Sequence, residues 1–297
     1  MRKLYRNKAL DLKKVLQEPG IIIAPGATDA FIARIIEELG FKAVYVTGAG
    51  IANTLGFPDI GLTTLNEVVE RARIISRAVN IPVIADADTG YGNAINVMRT
   101  VKEFIDAGVA AIQLEDQVTP KKCGHFEGKS VISAEEMVGK IQAAIEAKEE
   151  VGEELLIIAR TDARDVYGLD EAIRRGNLYA RAGADIIFIE APRSIEELER
   201  ICREVKAPLL VNMVEGGKTP LIPAKELEKM GFKIVIYPNT ALRVAGYAVR
   251  EALKILREKG DTTSILDRML SWDERQNLVR LPYYRQLERK YLSLKGS

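Results

Sequence analysis

The chain has 297 residues, of which 47% are hydrophobic, and a net charge of +1 from 43 Lys and Arg against 42 Asp and Glu. The length permits one large domain with a substantial core, while the near-zero charge gives no reason to expect nucleic acid or an anionic membrane as a partner. No apolar run is long enough for a transmembrane helix, and two cysteines argue against a disulfide scaffold and favour the reducing cytoplasm.

The first predicted element lies at the N-terminus. Residues 1–16 alternate basic and apolar side chains and lack the apolar core of a secretory signal, which indicates an amphipathic helix that caps the domain. After it come eight short runs that are almost continuous in Val, Ile and Leu, as expected for strands buried on both faces. The predicted strands cover residues 21–24, 43–47, 83–88, 111–116, 155–161, 185–190, 209–213 and 234–237.

Helical patterns separate these strands. The clearest lie at residues 67–79, 95–107, 134–151, 171–182, 195–205, 224–230 and 241–258. Ser133 and Ser194 each stand three residues before a glutamate, which is the spacing of a capping box. Gly108 and Gly231 follow predicted helix ends, where a left-handed cap favours glycine.

Eight alternations of strand and helix predict an α/β fold, a (β/α)8 TIM-type barrel. An open doubly wound sheet is the alternative, but no glycine-rich dinucleotide fingerprint follows the first strand. No linker divides the chain, so we expect a single domain over residues 1–297 with a C-terminal helical extension at about residues 261–297. The extension is charged and contains Trp272, Tyr283, Tyr284 and Tyr291, a composition that suits a helix packed on another subunit.

Functional side chains of such barrels gather at the carboxyl ends of the strands. Here those positions are mostly carboxylates, which repel one another unless a positive charge neutralises them. Asp86 and Asp88 are two residues apart on one predicted strand, so their side chains share a face. With only one histidine in the chain, oxygen ligands predict Mg²⁺ or Mn²⁺ rather than zinc. A single acid at a strand end is more often structural, and Asp116 and Asp162 are open to that interpretation.

The segment 117–131 is long for a strand-to-helix loop, and long loops in compact domains are often lids or binding loops. It contains Cys123 beside Lys121, Lys122 and His125, and basic neighbours are expected to lower a thiol pKa and favour thiolate or proton-transfer chemistry. Gly124 allows the backbone to approach a ligand closely. An isolated loop cysteine is usually inert, but this combination beside an acidic barrel mouth predicts a catalytic cysteine.

Two glycine-bearing loops complete the predicted site. Gly48 and Ala49 follow Thr47 at the second strand, and exposed backbone amides there can hold a carboxylate, although a tight turn is the simpler interpretation. Residues 212–220 form a similar polar loop after the seventh strand. Arg243, near the start of the last long helix, can clamp an anionic substrate.

Together these motifs resemble the isocitrate lyase and phosphoenolpyruvate mutase superfamily, and most of all its 2-methylisocitrate lyases. The resemblance runs from about residue 20 to about residue 284 and rests on the strings YVTGAG, LGFPDIGLTT, ADADTGYGN, QLEDQ, PKKCGH, ARTDA, IEA, VNMVEGGKTP and IYPNTALR. PKKCGH is the most specific, since this loop marks the carbon–carbon lyases and differs from that of the phosphonomutases.

The resemblance implies a role for each matched position. Asp86 and Asp88 match the magnesium site, and Asp59 and Glu115 match its outer shell. Cys123 matches the catalytic thiol, and Tyr45 matches a tyrosine that assists deprotonation. The predicted substrate-binding residues are Thr47, Gly48, Ala49, Gly124, His125, Arg160, Glu190, Asn212 and Arg243. The family also implies a small carboxylate substrate and a homotetramer whose last helix is swapped between subunits.

Departures from the family pattern leave the substrate open. Where the 2-methylisocitrate lyases read Asn-x-Thr-Glu-Phe-Gly, residues 212–217 read NMVEGG, which is more similar to the petal death protein and dimethylmalate lyase branch. Thr47 stands where the lyases usually have serine. A substrate-contacting arginine of the family's tail falls at Glu274 or Arg275.

The residues and the resemblance agree on one expected reaction. It is a Mg²⁺-dependent retro-aldol-type cleavage of a 2-hydroxy di- or tricarboxylate, with 2-methylisocitrate as the first substrate and pyruvate and succinate as products. The alternatives are 2,3-dimethylmalate lyase, oxaloacetate hydrolase and a carboxyphosphonoenolpyruvate or phosphoenolpyruvate mutase, although Cys123 counts against the mutases. An intact Asp86 and Asp88 pair beside Cys123 counts against a non-catalytic scaffold.

Overall fold

A closed barrel of eight parallel strands is the centre of the computed structural model, which describes residues 7–292. Each strand pairs with the next one along the chain, and β1 also pairs with β8. The predicted (β/α)8 barrel is therefore confirmed. The strands are β1 (Ile22–Ala27), β2 (Val44–Val46), β3 (Val83–Asp86), β4 (Ala111–Glu115), β5 (Leu156–Thr161), β6 (Ile186–Ile189), β7 (Leu209–Asn212) and β8 (Ile234–Tyr237).

All eight predicted strands are present, and the main difference is at the end of β1. The prediction ended at Ala24 because Pro25 and Gly26 are typical of a turn, whereas the strand continues to Ala27. Gly26 lies so close to the residue after β8, the neighbouring strand in the barrel, that an added Cβ would be 1.9 Å from the Pro238 carbonyl oxygen. The glycine therefore marks a close backbone approach within the barrel and not a chain reversal.

Helices follow the strands around the barrel. Each of the seven helices predicted between the strands is found within two residues of its expected bounds, and α2, α3 and α7 are additional because their sequences are too short for a clear period. The helices are α1 (Lys8–Gln17), α2 (Ala30–Glu38), α3 (Gly48–Thr54), α4 (Leu65–Ala78), α5 (Ala94–Ala107), α6 (Ala134–Val151), α7 (Ala163–Tyr167), α8 (Leu169–Arg181), α9 (Ile195–Glu204), α10 (Ala224–Met230) and α11 (Thr240–Lys259).

Two apolar clusters form the core. The larger one lies between the strands and the surrounding helices. The smaller one fills the barrel interior, where Ala9 and Leu12 of α1 pack with inward-facing residues such as Ile22 and Ile234. The predicted N-terminal helix thus closes the amino end of the barrel, and residues 1–6 of that prediction lie outside the described residues.

A buried polar cluster joins β4, β5 and α8 around Asp116. Its carboxylate accepts hydrogen bonds from the Thr161 hydroxyl at 2.7 Å, the Tyr179 hydroxyl at 2.8 Å and Arg175 Nη1 at 2.9 Å. The backbone N–H of Asp162 donates to its other oxygen at 2.9 Å. With this many partners, Asp116 fits the structural interpretation and stabilises the ends of two strands.

Residues 243–297 form a second compact unit, and the boundary falls inside α11 between Leu242 and Arg243. Besides the rest of α11, it contains a 3₁₀ helix (Thr263–Arg268), α12 (Trp272–Leu278) and α13 (Leu281–Leu292). Its large apolar side chains are mostly exposed, including Val244, Tyr247, Leu253, Trp272, Tyr283 and Tyr284. Between residues 7 and 292, no helix is long and apolar enough to cross a membrane.

The Asp116 cluster makes a stability prediction. Replacing Tyr179 with Phe removes one hydrogen bond to a buried carboxylate, so we expect the free energy of unfolding to fall by about 1.5–3 kcal/mol. Urea denaturation measures the change. Tyr167→Phe is the matched control, since Tyr167 is 61% exposed and should change stability by less than about 0.5 kcal/mol. Equal stability of Tyr179→Phe and the unmodified protein would contradict this account of Asp116.

Candidate active site

The carboxyl ends of the strands bring the predicted site residues together. Asp86 ends β3, Glu115 ends β4 and Asn212 ends β7, while Arg160 lies near the end of β5 and Glu190 directly follows β6. All five are buried. The parallel barrel therefore places residues more than a hundred positions apart in the sequence at one mouth, as the strand pattern predicted.

Asp86 and Asp88 form the acidic floor of this mouth. The backbone N–H of Asp88 donates to Asp86 Oδ1 at 3.2 Å, and Asp88 has a φ of 46°, in the left-handed region that non-glycine residues seldom adopt. A Cβ added at Gly48 would lie 2.9 Å from Asp86 Oδ2 and 3.3 Å from Asp88 Oδ1. Glycine at position 48 therefore keeps the space in front of both carboxylates free of a side chain.

The pair fits a hard divalent cation. Lys121 Nζ contacts Asp88 Oδ1 at 2.9 Å and Asp59 Oδ1 at 2.5 Å, whereas Asp86 makes no ion pair with any residue from 7 to 292. Burial and the neighbouring Asp88 raise the pKa of Asp86 to about 6. Ionisation of a buried carboxyl group is costly on its own, but it becomes favourable when a cation binds to the carboxylate.

Asp86 and Asp88 are the groups that would hold such an ion. No group of three His, Cys, Asp or Glu side chains within residues 7–292 is arranged to hold a metal ion. Of the nearby acids, Asp59 pairs with Lys121 and Glu115 pairs with Arg160. The remaining ligands would come from oxygen atoms of substrate and water, an arrangement that magnesium commonly adopts.

Arg160 connects three carboxylates across the mouth. Its Nε lies 2.9 Å from Asp162 Oδ2 and 3.2 Å from Glu115 Oε2, and its Nη2 lies 3.2 Å from Glu190 Oε2. The guanidinium also stacks 5.3 Å from the centre of the Phe188 ring. A metal ion is the neutralising charge expected from the sequence, whereas in the structure Arg160 and Lys121 supply much of the positive charge.

A hydrogen-bonded chain links Tyr45 to the acidic pair through a residue that the sequence analysis missed. The Tyr45 hydroxyl donates to Gln113 Oε1 at 3.0 Å, and Gln113 Nε2 donates to Asp86 Oδ1 at 3.2 Å. Burial and the charge of Asp86 raise the pKa of Tyr45 well above its usual range. A glutamine inside the apolar run AAIQLE was the available signal, since a polar side chain in a barrel interior needs partners.

Cys123 corrects one expectation. Lys121 and Lys122 were expected to lower its pKa, but Lys121 turns to Asp59 and Asp88, and Lys122 Nζ donates to the Gly128 carbonyl oxygen at 2.7 Å. Burial of the thiol and the charge of Asp59 instead raise the pKa of Cys123 to about 11. The lower pKa expected from the basic neighbours is therefore not found in this closed arrangement, which favours the protonated thiol.

The segment 117–131 lies closed against the mouth. A Cβ added at Gly124 would lie 2.4 Å from Arg160 Nη2 and 2.7 Å from the Glu190 carboxyl carbon, so this contact requires glycine. His125 Nδ1 accepts a hydrogen bond from the Lys218 backbone N–H at 3.1 Å. This acceptor role leaves the proton of a neutral imidazole on Nε2, which lies 3.6 Å from Glu190 Oε1.

The remaining predicted residues occupy different positions. Thr47 caps α3, and its hydroxyl oxygen accepts from the Gly50 N–H at 3.1 Å. Gly48 and Ala49 are the first residues of that helix. Asn212 Nδ2 donates to Glu190 Oε2 at 3.4 Å. Arg243 lies in α11 within the second unit, and its contact with a substrate stays a prediction.

Comparison with known proteins identifies relatives over nearly the whole chain. Residues 12–257 match the phosphoenolpyruvate phosphomutase family. The 2,3-dimethylmalate lyase of Eubacterium barkeri is 49% identical over 96% of this chain and 98% of its own. The 2-methylisocitrate lyase of Aeropyrum pernix is 48% identical over 93% of this chain and 90% of its own.

Solved structures agree with these relatives. A crystal structure of 2,3-dimethylmalate lyase, a member of the PEP mutase/isocitrate lyase superfamily, has a TM-score of 0.91 and 38% identity and covers 96% of this chain and 95% of its own. Oxaloacetate acetylhydrolase with 3,3-difluorooxalacetate also has a TM-score of 0.91, with 37% identity over 96% of this chain and 97% of its own. Phosphonopyruvate hydrolase in complex with oxalate and Mg²⁺ has a TM-score of 0.86 and 31% identity, covering 97% of this chain and 100% of its own.

The sequence resemblance, the eight-stranded barrel and these comparisons agree. The family match covers more than half of the chain, and several relatives exceed 40% identity over more than 90% of it. The chain therefore belongs to the phosphoenolpyruvate mutase/isocitrate lyase superfamily and is an enzyme of its lyase type.

Proposed function

We propose that this enzyme is a Mg²⁺-dependent carbon–carbon lyase that cleaves a 2-hydroxy di- or tricarboxylate into pyruvate and a second carboxylate. Mn²⁺ is the other cation that the ligand type suits. The observation that carries the proposal is the placement of a protonated Cys123 on a closed segment facing Arg160 and Glu190, at the same mouth as the Asp86 and Asp88 pair. A proton donor and an oxygen-ligand cation site are the two groups that such a cleavage needs.

The side chains divide the work of binding. Arg160 is the cation that would hold a substrate carboxylate, because its hydrogen bonds with residues 7–292 come from Nε and Nη2 and leave Nη1 to donate. His125 Nε2 lies 3.6 Å from Glu190 Oε1 and makes no hydrogen bond with the described residues. The backbone N–H groups of Gly48 and Ala49 are available for a second carboxylate. The metal, when bound, supplies positive charge that lowers the pKa of the substrate's 2-hydroxyl group.

Proton movement follows from the positions of Tyr45 and Cys123. Tyr45, held by Gln113 beside Asp86, is placed to orient the 2-hydroxyl group and so to assist its deprotonation. Because the pKa of Tyr45 is raised well above its usual range, the phenol keeps its own proton, and the hydroxyl proton leaves to water. Breaking the bond between C2 and C3 leaves an enolate-like fragment, which accepts a proton from the Cys123 thiol. Since burial raises the pKa of this thiol to about 11, Cys123 carries the proton before cleavage and acts as a general acid.

The first substrate that we propose is 2-methylisocitrate, which yields pyruvate and succinate. Its third carboxylate needs an additional cation, and Arg243 is the residue that the sequence resemblance assigns to substrate binding. The second candidate is 2,3-dimethylmalate, which yields pyruvate and propionate. The Gly216–Gly217 loop favours it, and so does the pairing of Lys121, Lys129 and Lys218 with the protein's own acids, because fewer cations remain for a third carboxylate.

We further propose a homotetramer in the cytoplasm, in which the helices after residue 242 pack on a neighbouring subunit. Leu253, Trp272 and Tyr283 are exposed in the single chain, and exposed apolar surface of this kind is typical of an interface. Both Cys123 and Cys202 are free thiols, in keeping with a reducing compartment.

Turnover should depend on a divalent cation, and assays with several carboxylates identify the substrate. Pyruvate formation is measured with 2-methylisocitrate and 2,3-dimethylmalate, oxalate formation with oxaloacetate, and glyoxylate formation with isocitrate, each with Mg²⁺ and after chelation. We expect pyruvate and succinate from 2-methylisocitrate, activity lost on chelation and recovered with Mg²⁺ or Mn²⁺. Activity on 2,3-dimethylmalate alone would select the second candidate, and full activity after exhaustive chelation would sink the metal assignment.

Cys123→Ser tests the general acid. Serine keeps the size and polarity but is a far weaker acid, so kcat should fall by about 10²–10⁴-fold, the usual contribution of general acid–base catalysis. Mg²⁺ binding should remain, since the metal ligands are unchanged. Cys202→Ala is the matched control, because Cys202 packs against the core at α9 and should leave kcat unchanged. A folded Cys123→Ser enzyme within about threefold of the parent kcat, far below that factor, refutes the role.

Oligomeric state tests the helical interface. Light scattering at micromolar concentration should give a mass of about four times the 32.9 kDa of one chain. The reason is that association removes the exposed apolar side chains after position 242 from water. Leu253→Asp with Tyr283→Asp places charges in the interface and should lower the measured mass. A monodisperse monomer for the unmodified protein is the contrary outcome.

A further inference from the structure

Three loops meet at Asp165, which lies in α7 directly after β5. Its Oδ2 is 2.7 Å from Lys218 Nζ and 3.1 Å from Lys129 Nζ, and its Oδ1 is 3.0 Å from Arg193 Nη2. Lys129 belongs to the segment 117–131, Arg193 follows β6 and Lys218 follows β7. One carboxylate, 7% exposed, thus joins the cations of three separate loops.

Lys129 connects Asp165 to the part of the segment that carries the catalytic cysteine. Its Nζ donates to the carbonyl oxygen of Gly124 at 2.5 Å, next to Cys123, and to Asp162 Oδ1 at 2.8 Å. The Lys129 side chain is only 1% exposed. A buried ammonium group is tolerated only while its carboxylate partners are in place, so Lys129 favours the closed position of the segment.

Lys218 makes a second connection to the same segment. Its Nζ contacts Glu127 Oε1 at 2.9 Å as well as Asp165. Its backbone N–H donates a hydrogen bond to His125 Nδ1. Gly217 permits this approach, since an added Cβ would lie 2.8 Å from the His125 ring. Asp165 therefore anchors two of the lysines that hold the segment 117–131 in place, and Lys121 makes a separate connection to Asp59 and Asp88.

We propose that Asp165 is a positioning residue that keeps the segment 117–131 closed over the active site through Lys129 and Lys218. Asp165 touches none of the groups assigned to metal, substrate or proton transfer, and its described partners are these two lysines and Arg193. Its contribution exists only in the closed arrangement, because opening the segment separates Lys129 from Asp165. The proposal rests on the proposed function only in that this segment carries the general acid.

Labelling of the two cysteines tests this without any substrate. Asp165→Asn keeps the shape and removes the charge. We expect a maleimide to modify Cys123 about tenfold faster or more, in line with the loss of hydrogen bonds to a charged group, because opening exposes the thiol. Cys202 in α9 is the internal reference, and mass spectrometry of the intact protein and its peptides separates the two sites. Asp170→Asn is the matched control, since Asp170 is 85% exposed and should leave both rates unchanged.

The outcomes separate positioning from general destabilisation. An unchanged rate at Cys123 overturns the proposal, and so does an equal acceleration at Cys123 and Cys202, which would show loss of overall stability. If Asp165→Asn fails to fold, Lys218→Met removes the partner charge and should accelerate Cys123 selectively. Lys218→Arg retains the charge and should restore most of the protection. Because labelling needs no turnover, these results stand whether or not pyruvate is formed from any candidate substrate.

Discussion

Buried negative charge is the constraint on which the barrel mouth depends. Asp86, Asp88, Glu115, Asp162 and Glu190 are all less than a tenth exposed, and an isolated ionised carboxylate in such an environment is very costly. Each of them except Asp86 has a cation of the chain within ion-pair or hydrogen-bond distance. The distribution of these cations leaves Asp86 without a positive partner beside Asp88, in keeping with the cation site proposed at this pair.

Two of the cations come from the segment that covers the site. Lys121 and Lys129 belong to segment 117–131, whereas Arg160 comes from β5. The closed segment therefore holds the thiol and two of the neutralising charges at the mouth together. In the opening proposed above, water would replace the two ammonium groups as the partner of the acids. Electrostatics and proton delivery are coupled because the same fifteen or so residues supply both.

Much of this arrangement can be predicted from the sequence, because strand order in a parallel barrel is set by chain order. The apolar run before Asp86 predicts its place at the mouth, and the family resemblance predicts Glu115, Arg160 and Glu190 in the same site. The sequence does not predict which carboxylate each of the cations contacts. Cys123 has basic neighbours in sequence, but the side chain of Lys121 turns to acids from other elements, so the direction of the Cys123 pKa shift was wrong.

Gln113 and Asp165 illustrate the same limit in different ways. Gln113 lies inside a strand, and only the closed barrel places Tyr45 on one side of it and Asp86 on the other. Asp165 follows the ARTDA string by two residues and has no distinctive local pattern. Its importance arises from three loops whose relative positions depend on β5, β6 and β7 together. Pairwise contacts across the fold carry no signature in one chain read alone.

The helix at the other end of the barrel has a consequence for the order of events. Since Ala9 and Leu12 of α1 fill the amino end, the described part of the chain leaves the covered mouth as the route between solvent and the reacting groups. For the cleavage proposed above, substrate and products share this single passage, so the segment 117–131 must lift before the substrate enters and again before the fragments leave. The frequency of lifting would then set an upper limit on the number of turnovers per second.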